Sequence, residues 1–358
     1  MQIGFVGLGA VVETAYLPAL RRLALSGLEL WGYDRDPARQ LAGVHALPSL
    51  DALLARPLDL LFITTPSLDH LVTLSAALAS AIPLLVVEKP VVARLDQLEQ
   101  LEALLAEPAC VGRVLALDHW MARTGIQQLL SGQLGAHWLP EDSAQGNPPD
   151  LSGARLLRLE GYLQEPSGQD EQGRPIALNF ATGEADCRTL RHPDGVILDI
   201  GTHVLTQIRE LVAALGCDES LQLLAGEVTD RLGAAIVHGD LHVAEGRARL
   251  LGSVGGIPLQ IRLDKYAGPG GGQKGVTAFL ADGGQISLDR CGNGERLTLT
   301  QGSYRQGWRQ EGALYEHCLA GLLRGEGIGR EARIALTRRR LAEVRALLAL
   351  HQQLRGPH

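Results

Sequence analysis

Aromatic side chains are scarce in this chain, at 4% of its 358 residues. A core of ordinary density therefore has to be built from Leu, Ala, Val and Ile. The five cysteines, Cys110, Cys187, Cys217, Cys291 and Cys318, are odd in number, scattered and never spaced C-x-x-C. That pattern excludes a disulfide framework and a structural zinc site, so they read as reduced, mostly buried thiols, and no metal is expected. No uninterrupted apolar run reaches the ~18 residues of a membrane span, and Met1-Gln2-Ile3-Gly4 brings no basic stretch ahead of an apolar one. The expectation is a cytoplasmic protein with no membrane partner. Basic residues number 33 against 40 acidic ones, a net charge of −7, and no Lys/Arg block interleaves with aromatics. Nucleic acid is excluded as a partner on that ground.

The remaining composition, 46% hydrophobic and 20% charged, is that of a packed globular chain. At roughly 150 residues per domain the length implies two domains. From Gln2 to about Leu117, short apolar runs alternate with helical periodicity. This is the pattern of βαβ units feeding a parallel sheet. Strands are expected at Ile3 to Val6, Leu28 to Tyr33, Leu58 to Thr64, Leu84 to Val87 and Val111 to Leu117, with helices at Leu50 to Ala55, His70 to Ala79 and Leu95 to Leu105. After residue 120 the texture changes to short β-like runs broken by glycine turns: Leu156 to Leu163, Leu221 to Val228, Ala234 to Val243, Ala248 to Leu263, Val276 to Leu280 and Leu297 to Leu299. That reads as a mostly antiparallel sheet. Loops are expected at 140–153, 166–195 and 268–272, and helices return from about Gly312 to Leu354.

Gly7-Leu8-Gly9 follows the first strand and precedes a helical segment that starts at Ala10 and Val11, so its backbone can approach a pyrophosphate. The third small position of that fingerprint is Val12, which crowds the first helix against the strand. Asp34, at the end of the second strand, can accept hydrogen bonds from a ribose, or can cap a helix starting at Asp36-Pro37-Ala38, a role Asp36 fills better. An acid there favours NAD, and Arg35 beside it keeps NADP open. Thr64-Thr65-Pro66 ends the third strand at the sheet edge where cofactors lie; His70, shortly after, reads as part of that edge or as a solvated first-turn residue. The fourth strand ends in Glu88-Lys89-Pro90. Lys89 stands near any nicotinamide and can stabilise a developing alkoxide, or is a surface lysine paired with a carboxylate.

The segment from Asp194 reads as the start of a helix running to about Leu215, with Asp199, His203, Thr206, Gln207 and Glu210 on one face. That face either meets water or works chemically: a histidine moves protons at neutral pH, and a carboxylate one turn earlier orients it or holds a substrate hydroxyl.

Gly7-x-Gly9, Thr65-Pro66-x-x-x-His70, Glu88-Lys89-Pro90 and Asp199-x-x-x-His203, in this order, resemble the glucose–fructose oxidoreductase/inositol dehydrogenase/rhizopine-catabolism (Gfo/Idh/MocA) family. The resemblance spans most of the chain. It implies that Lys89, Asp199 and His203 bind and deprotonate a sugar or cyclitol hydroxyl while hydride passes to a nicotinamide. Two departures are Pro193-Asp194-Gly195, where the family commonly has a glycine cluster, and Thr206, where it has a second acid. Asp118-His119-Trp120 looks like the Asp-His-Tyr segment of hexose-6-phosphate dehydrogenases, which makes His119, Trp120 and Arg123 candidate substrate residues; His119 reads equally as a hydrogen-bonded residue at the domain junction.

The expected architecture is an α/β Rossmann domain over 1–120, an α+β domain with an open, mostly antiparallel sheet over 121–311, and C-terminal helices over 312–358 near the junction, with the active site in the cleft. The expected function is an NAD(P)-dependent oxidoreductase acting on a secondary alcohol or ketone of a sugar, cyclitol or related polyol, as a homodimer or homotetramer. The same resemblance admits an NAD-dependent glycosidase and a non-catalytic nucleotide sensor.

Overall fold

The structure is a computed structural model, and it describes residues 1–141, 144–178, 183–186, 188–325 and 327–356. Parts of the loops expected at 140–153 and 166–195, together with Cys187, lie outside the described residues. The chain forms two compact units, one of Met1–His119 with Tyr315–Arg345, the other of Trp120–Leu314 with the chain from Ala346.

The first unit is built on six strands: β1 Gln2–Val6, β2 Glu29–Tyr33, β3 His45–Ala46, β4 Leu60–Ile63, β5 Leu85–Val87 and β6 Val114–Ala116. They lie in the order β3-β2-β1-β4-β5-β6, and every pairing is parallel. This is the doubly wound order, whose reversal between β1 and β4 opens a crevice at the carboxyl ends of those strands. Strands β4, β5 and β6 are buried throughout, which explains their unbroken apolar runs. The outer edge of β6 is covered from the C-terminal helix Arg330–Arg355: Thr337 Oγ1 donates to the Val114 carbonyl at 3.0 Å and accepts from the Ala116 N–H at 3.1 Å.

Two local expectations for this unit are corrected. The last strand begins only at Val114, because Pro108–Val111 forms a helical turn with Pro at its start, where a missing N–H costs nothing. No helix starts at Asp36: Asp36 and Asp34 instead accept hydrogen bonds from the Ala38 and Asp36 N–H groups, two Asx turns that lead the chain on towards β3. The helix after the glycines starts at Ala10 and Val11, as expected, and passes through a π-turn over Val12–Tyr16, with Val12 fully buried, before Leu17–Leu23 continues as α-helix.

The second unit carries β7 Leu139–Pro140, β8 Leu156–Gln164, the hairpin β9 Ser167–Gln169 with β10 Pro175–Ala177, β11 Leu221–Thr229, β12 Arg247–Val254, β13 Ile257–Asp264, β14 Lys274–Leu280, β15 Gln285–Cys291, β16 Gly294–Gln301 and β17 Tyr304–Gln310. Among the described residues nine of these form one open sheet, in the order β11-β12-β13-β8-β14-β15-β16-β17-β7, with only the β13–β8 pairing parallel. The apolar run 248–263 breaks into β12 and β13 at Gly255-Gly256, both at positive φ, which glycine adopts without a Cβ penalty. The run 234–243 is no strand, forming one isolated bridge from Ala235 to Thr229.

Helix Gly201–Ala214 packs on this sheet at Gly161 of β8, where any Cβ would fall 2.2 Å from Val204 Cγ1. The absence of a side chain at 161 lets the helix descend onto the strand. Four cysteines are described, all as thiols; Cys318 is buried, Cys110 and Cys291 are half-buried and Cys217 is exposed, so the expectation of mostly buried thiols is corrected. Among the described residues no helix is long and apolar enough to cross a membrane.

Candidate active site

Gly7 sits at the carboxyl end of β1 with φ +90°, and a Cβ there would fall 2.9 Å from the Thr64 carbonyl and the Thr65 nitrogen. The turn therefore lies directly on the backbone that follows β4, at the strand reversal. Thr64 Oγ1 reinforces the contact by donating to the Gly7 carbonyl at 2.7 Å. A Cβ on Gly9 would meet nothing within 4 Å, so the chain is open there to an incoming group. Asp34 closes the turn from β2, its Oδ2 accepting from the Leu8 N–H at 2.7 Å and its Oδ1 from the Asp36 N–H at 2.9 Å. Arg35 is exposed and stands 3.4 Å from Asp69. Thr65 Oγ1 is buried with no hydrogen-bond partner among the described residues, next to Pro66 at the same edge. A glycine turn, an open backbone approach and a buried hydroxyl in want of a partner are what a dinucleotide requires, so Gly7 to Val11, Asp34 and Thr65 fit one.

His70 is not solvated. It is 1% exposed, and its two ring nitrogens lie 2.9 Å from the Pro90 carbonyl and 2.7 Å from the Thr65 carbonyl. Burial lowers its pKa, against those two contacts, which favour the charged form. The ring is thus a clasp between the turn after β4 and the turn after β5, occupied by the protein itself. Glu88 is likewise taken up internally: Tyr16 Oη donates to its Oε1, Tyr315 Oη donates to the same oxygen at 3.4 Å, and the Lys89 N–H donates to Oε2 at 3.1 Å. Burial raises the Glu88 pKa, while the Tyr16 hydrogen bond and the Lys89 charge hold it down. Lys89 follows at the carboxyl end of β5, half-buried, ahead of a cis peptide to Pro90. His119 stacks on Tyr315 with ring centroids 4.2 Å apart.

In the second unit the helix expected from Asp194 to Leu215 divides into Val196–Asp199 and Gly201–Ala214 at Ile200, with φ −108° and ψ −18°. Asp199 therefore ends one helix, and His203 lies in the first turn of the next. Of the two readings of that stripe, the solvated one does not hold at His203, Thr206 and Gln207, which are buried. Lys265, the residue after β13, donates to Asp199 Oδ2. Burial works against the Lys265 charge, but the Asp199 charge and hydrogen bond outweigh it and leave the ammonium pKa raised. No motif marked Lys265; a lysine directly after an alternating strand was the one available signal.

His203 stacks on Trp120, centroids 5.6 Å apart and planes 13° from parallel, and the Arg123 guanidinium lies 4.2 Å over the Trp120 ring. Arg123 is 2% exposed: its Nε donates to Glu295 at 2.5 Å, and its Nη2 donates to the carbonyls of Lys274 and Leu288. It has no surface to offer a substrate, so its expected substrate role gives way to that of a brace behind Trp120. One turn beyond His203, Gln207 is 1% exposed, and neither its Oε1 nor its Nε2 has a partner among the described residues.

Residues 1–115 match the oxidoreductase family with an NAD-binding Rossmann fold, Gfo/Idh/MocA. The match takes in about a third of the chain. The Salmonella typhimurium protein YceM, whose name gives an oxidoreductase, is 32% identical over 110 residues, 30% of this chain and 36% of its own length. The chain thus aligns with about a third of that relative. Among solved structures, the 3-ketoreductase KijD10 of Actinomadura kijaniata, in complex with NADP and TDP-benzene, is 16% identical with a TM-score of 0.65, covering 99% of this chain and 98% of its own. UDP-N-acetylglucosamine 3-dehydrogenase GnnA of Acidithiobacillus ferrooxidans is 17% identical with a TM-score of 0.61, covering 98% and 99%. At these identities the likeness is one of fold. The likeness to an NAD-binding Rossmann fold lies in residues 1–115, and the second unit carries a mostly antiparallel sheet.

Proposed function

We propose that the chain transfers hydride between a nicotinamide and a secondary alcohol or ketone of a sugar, cyclitol or related polyol. The observation that carries the reading is Gln207: a buried amide left without partners one turn beyond a buried histidine is a hydrogen-bonding group waiting for a polar ligand. In this reading His203 accepts the hydroxyl proton, held in orientation by its stack on Trp120. Asp199, pinned by Lys265, receives or orients a neighbouring hydroxyl. Lys89 stabilises the oxygen as negative charge develops on it. When bound, the nicotinamide takes up or returns the hydride. Gly7, Leu8, Gly9, Ala10, Val11, Asp34, Thr64, Thr65 and Pro66 hold the dinucleotide, while His70 and Glu88 hold the two turns that present Thr65 and Lys89. Asp34 favours a free ribose hydroxyl and hence NAD; Arg35 is the group that would meet a 2′-phosphate. Self-association belongs to the same reading, and Leu224 and Leu251, directly opposite one another and exposed on β11 and β12, are its apolar candidates.

The test is a panel of polyols, sugar acids, sugar phosphates and nucleoside-diphosphate sugars, with their 3-keto forms, followed by nicotinamide absorbance with NAD and NADP. Replacing Lys89 with Met or His203 with Ala should each lower kcat/KM by about 100-fold or more on the active compound. A double variant that loses less than about tenfold would refute the assignment.

A further inference from the structure

A second group of buried polar side chains lies in the second unit, away from the residues assigned above. Glu245 and Arg355 are each 1% exposed, and His351 is 2% exposed. Arg355 spends its guanidinium on one carboxylate oxygen and on two carbonyls: Nε donates to Glu245 Oε1 at 2.9 Å, Nη2 donates to the same oxygen and to the Val243 carbonyl, and Nη1 donates to the Asp240 carbonyl. The other oxygen, Oε2, has no hydrogen-bond partner among the described residues, and neither has either ring nitrogen of His351. His351 Nε2 stands 3.4 Å from that oxygen, an ion pair when the ring is protonated. The His192 ring joins them edge-on, 4.6 Å from the His351 ring centre, and one donor atom from each of His192, Glu245 and His351 falls within 4.8 Å of the others. Gly195 packs directly against this carboxylate, since a Cβ on it would come within 1.8 Å of Oε2.

Buried lone pairs rarely go unpaired, and here they converge. A four-coordinate cation with bonds of ~2.1 Å holds its donors ~3.4 Å apart, the separation already present between His351 Nε2 and Glu245 Oε2. We propose that His192, Glu245 and His351 bind one divalent transition-metal cation of the zinc class. Two imidazoles and a carboxylate are a borderline nitrogen and oxygen set that suits zinc and cobalt rather than calcium or magnesium. Arg355 on the remote carboxylate oxygen is the outer partner that fixes the ligand's orientation, and its positive charge keeps the affinity below that of an all-anionic site. The cation ties together three distant segments: the turn before helix Val196–Asp199, the entry to β12, and the last turns of the C-terminal helix. The Val196 N–H already donates to the Glu245 carbonyl at 3.0 Å, so the site backs the helix that ends in Asp199. Cysteine spacing carries no sign of such a site, because none of its donors is a thiol.

The full chain, stripped with a chelator, is titrated with Zn²⁺ against a chromophoric competitor and separately loaded with Co²⁺ for its ligand-field spectrum. Expected are one Zn²⁺ per chain, a low-coordination Co²⁺ spectrum, and a melting temperature raised by Zn²⁺. His192→Ala should bind at least about 100-fold more weakly and lose the thermal response, while His137→Ala, at an exposed histidine, should match the wild type. Glu245→Gln and His351→Gln disturb the burial of Arg355, so folding is checked by circular dichroism and the decision rests on His192→Ala and the wild-type Co²⁺ spectrum. Substoichiometric Zn²⁺ in the wild type, an octahedral Co²⁺ spectrum, or equal affinity in His192→Ala would overturn the proposal and leave the cluster a metal-free charge network.

Discussion

Replacing Lys265 with methionine keeps the aliphatic stem and removes the ammonium group that Asp199 accepts from. Breaking a fully buried ion pair costs about 3–5 kcal/mol, because a charge is left in low dielectric. Here the Lys265 side chain is 13% exposed but that of Asp199 is 34% exposed, so water recovers part of the loss and about 1–3 kcal/mol remains. In a unit of roughly 200 residues that lowers the melting temperature by about 2–10 °C. Trp120, Trp138 and Trp308 all belong to this unit and only Trp31 to the other, so tryptophan fluorescence in a urea titration reports on the affected part. Asp199→Asn combined with Lys265→Met completes a double-mutant cycle, in which the coupling should be about 1–2 kcal/mol. Additivity within ~0.5 kcal/mol would show that the pair does not hold the segment, and the role given to Lys265 would fall.

Two further outcomes are expected. The Glu88 carboxyl is pushed upward by burial, so it contributes stability that is fully present below the unfolded value of ~4.3 and lost as pH rises through the folded one. Glu88→Gln should flatten that fall in an acid-to-neutral melting series, and an unchanged slope would count against the burial argument. Gly7→Ala forces a Cβ at φ +90° against the Thr64–Thr65 backbone, at a cost of about 1–3 kcal/mol. It should also weaken NAD(P)H binding in a fluorescence titration, and an unaltered melting temperature with unaltered binding would refute the close approach.

The parallel sheet was legible because its strands are buried on both faces and read as unbroken apolar runs; helix Leu95–Leu105 matches its expected bounds for the complementary reason, a clear single stripe. In the second unit β17, Tyr-Arg-Gln-Gly-Trp-Arg-Gln, escaped notice because little in it is apolar, and its place in the sheet comes from pairing with β16. The segment 234–243 misled in the opposite direction, since apolar residues without a neighbouring strand remain a loop. At the site, the positions of Asp199 and His203 were readable, but the burial of their helix was not. Periodicity separates faces only when one of them meets water, and Gly201–Ala214 is buried nearly all round. Lys265 with Asp199, and Arg123 with Glu295, were invisible because each pair joins residues far apart in the chain, which local spacing cannot connect.

The π-turn at Val12–Tyr16 bears on how such motifs are counted. A fingerprint written as fixed spacings is a ruler marked in steps of 3.6 residues per turn, and here the Leu17 N–H reaches back five residues to the Val12 carbonyl. The ruler gains one mark just after Val12. Val12 stands at the head of a widened coil that absorbs the extra residue, and Leu17–Leu23 resumes as α-helix behind it. A variant lacking one residue between Val12 and Tyr16 would regularise that coil, whereas the same deletion a few positions later would turn every following side chain by about 100° and carry the buried face of the helix off the sheet.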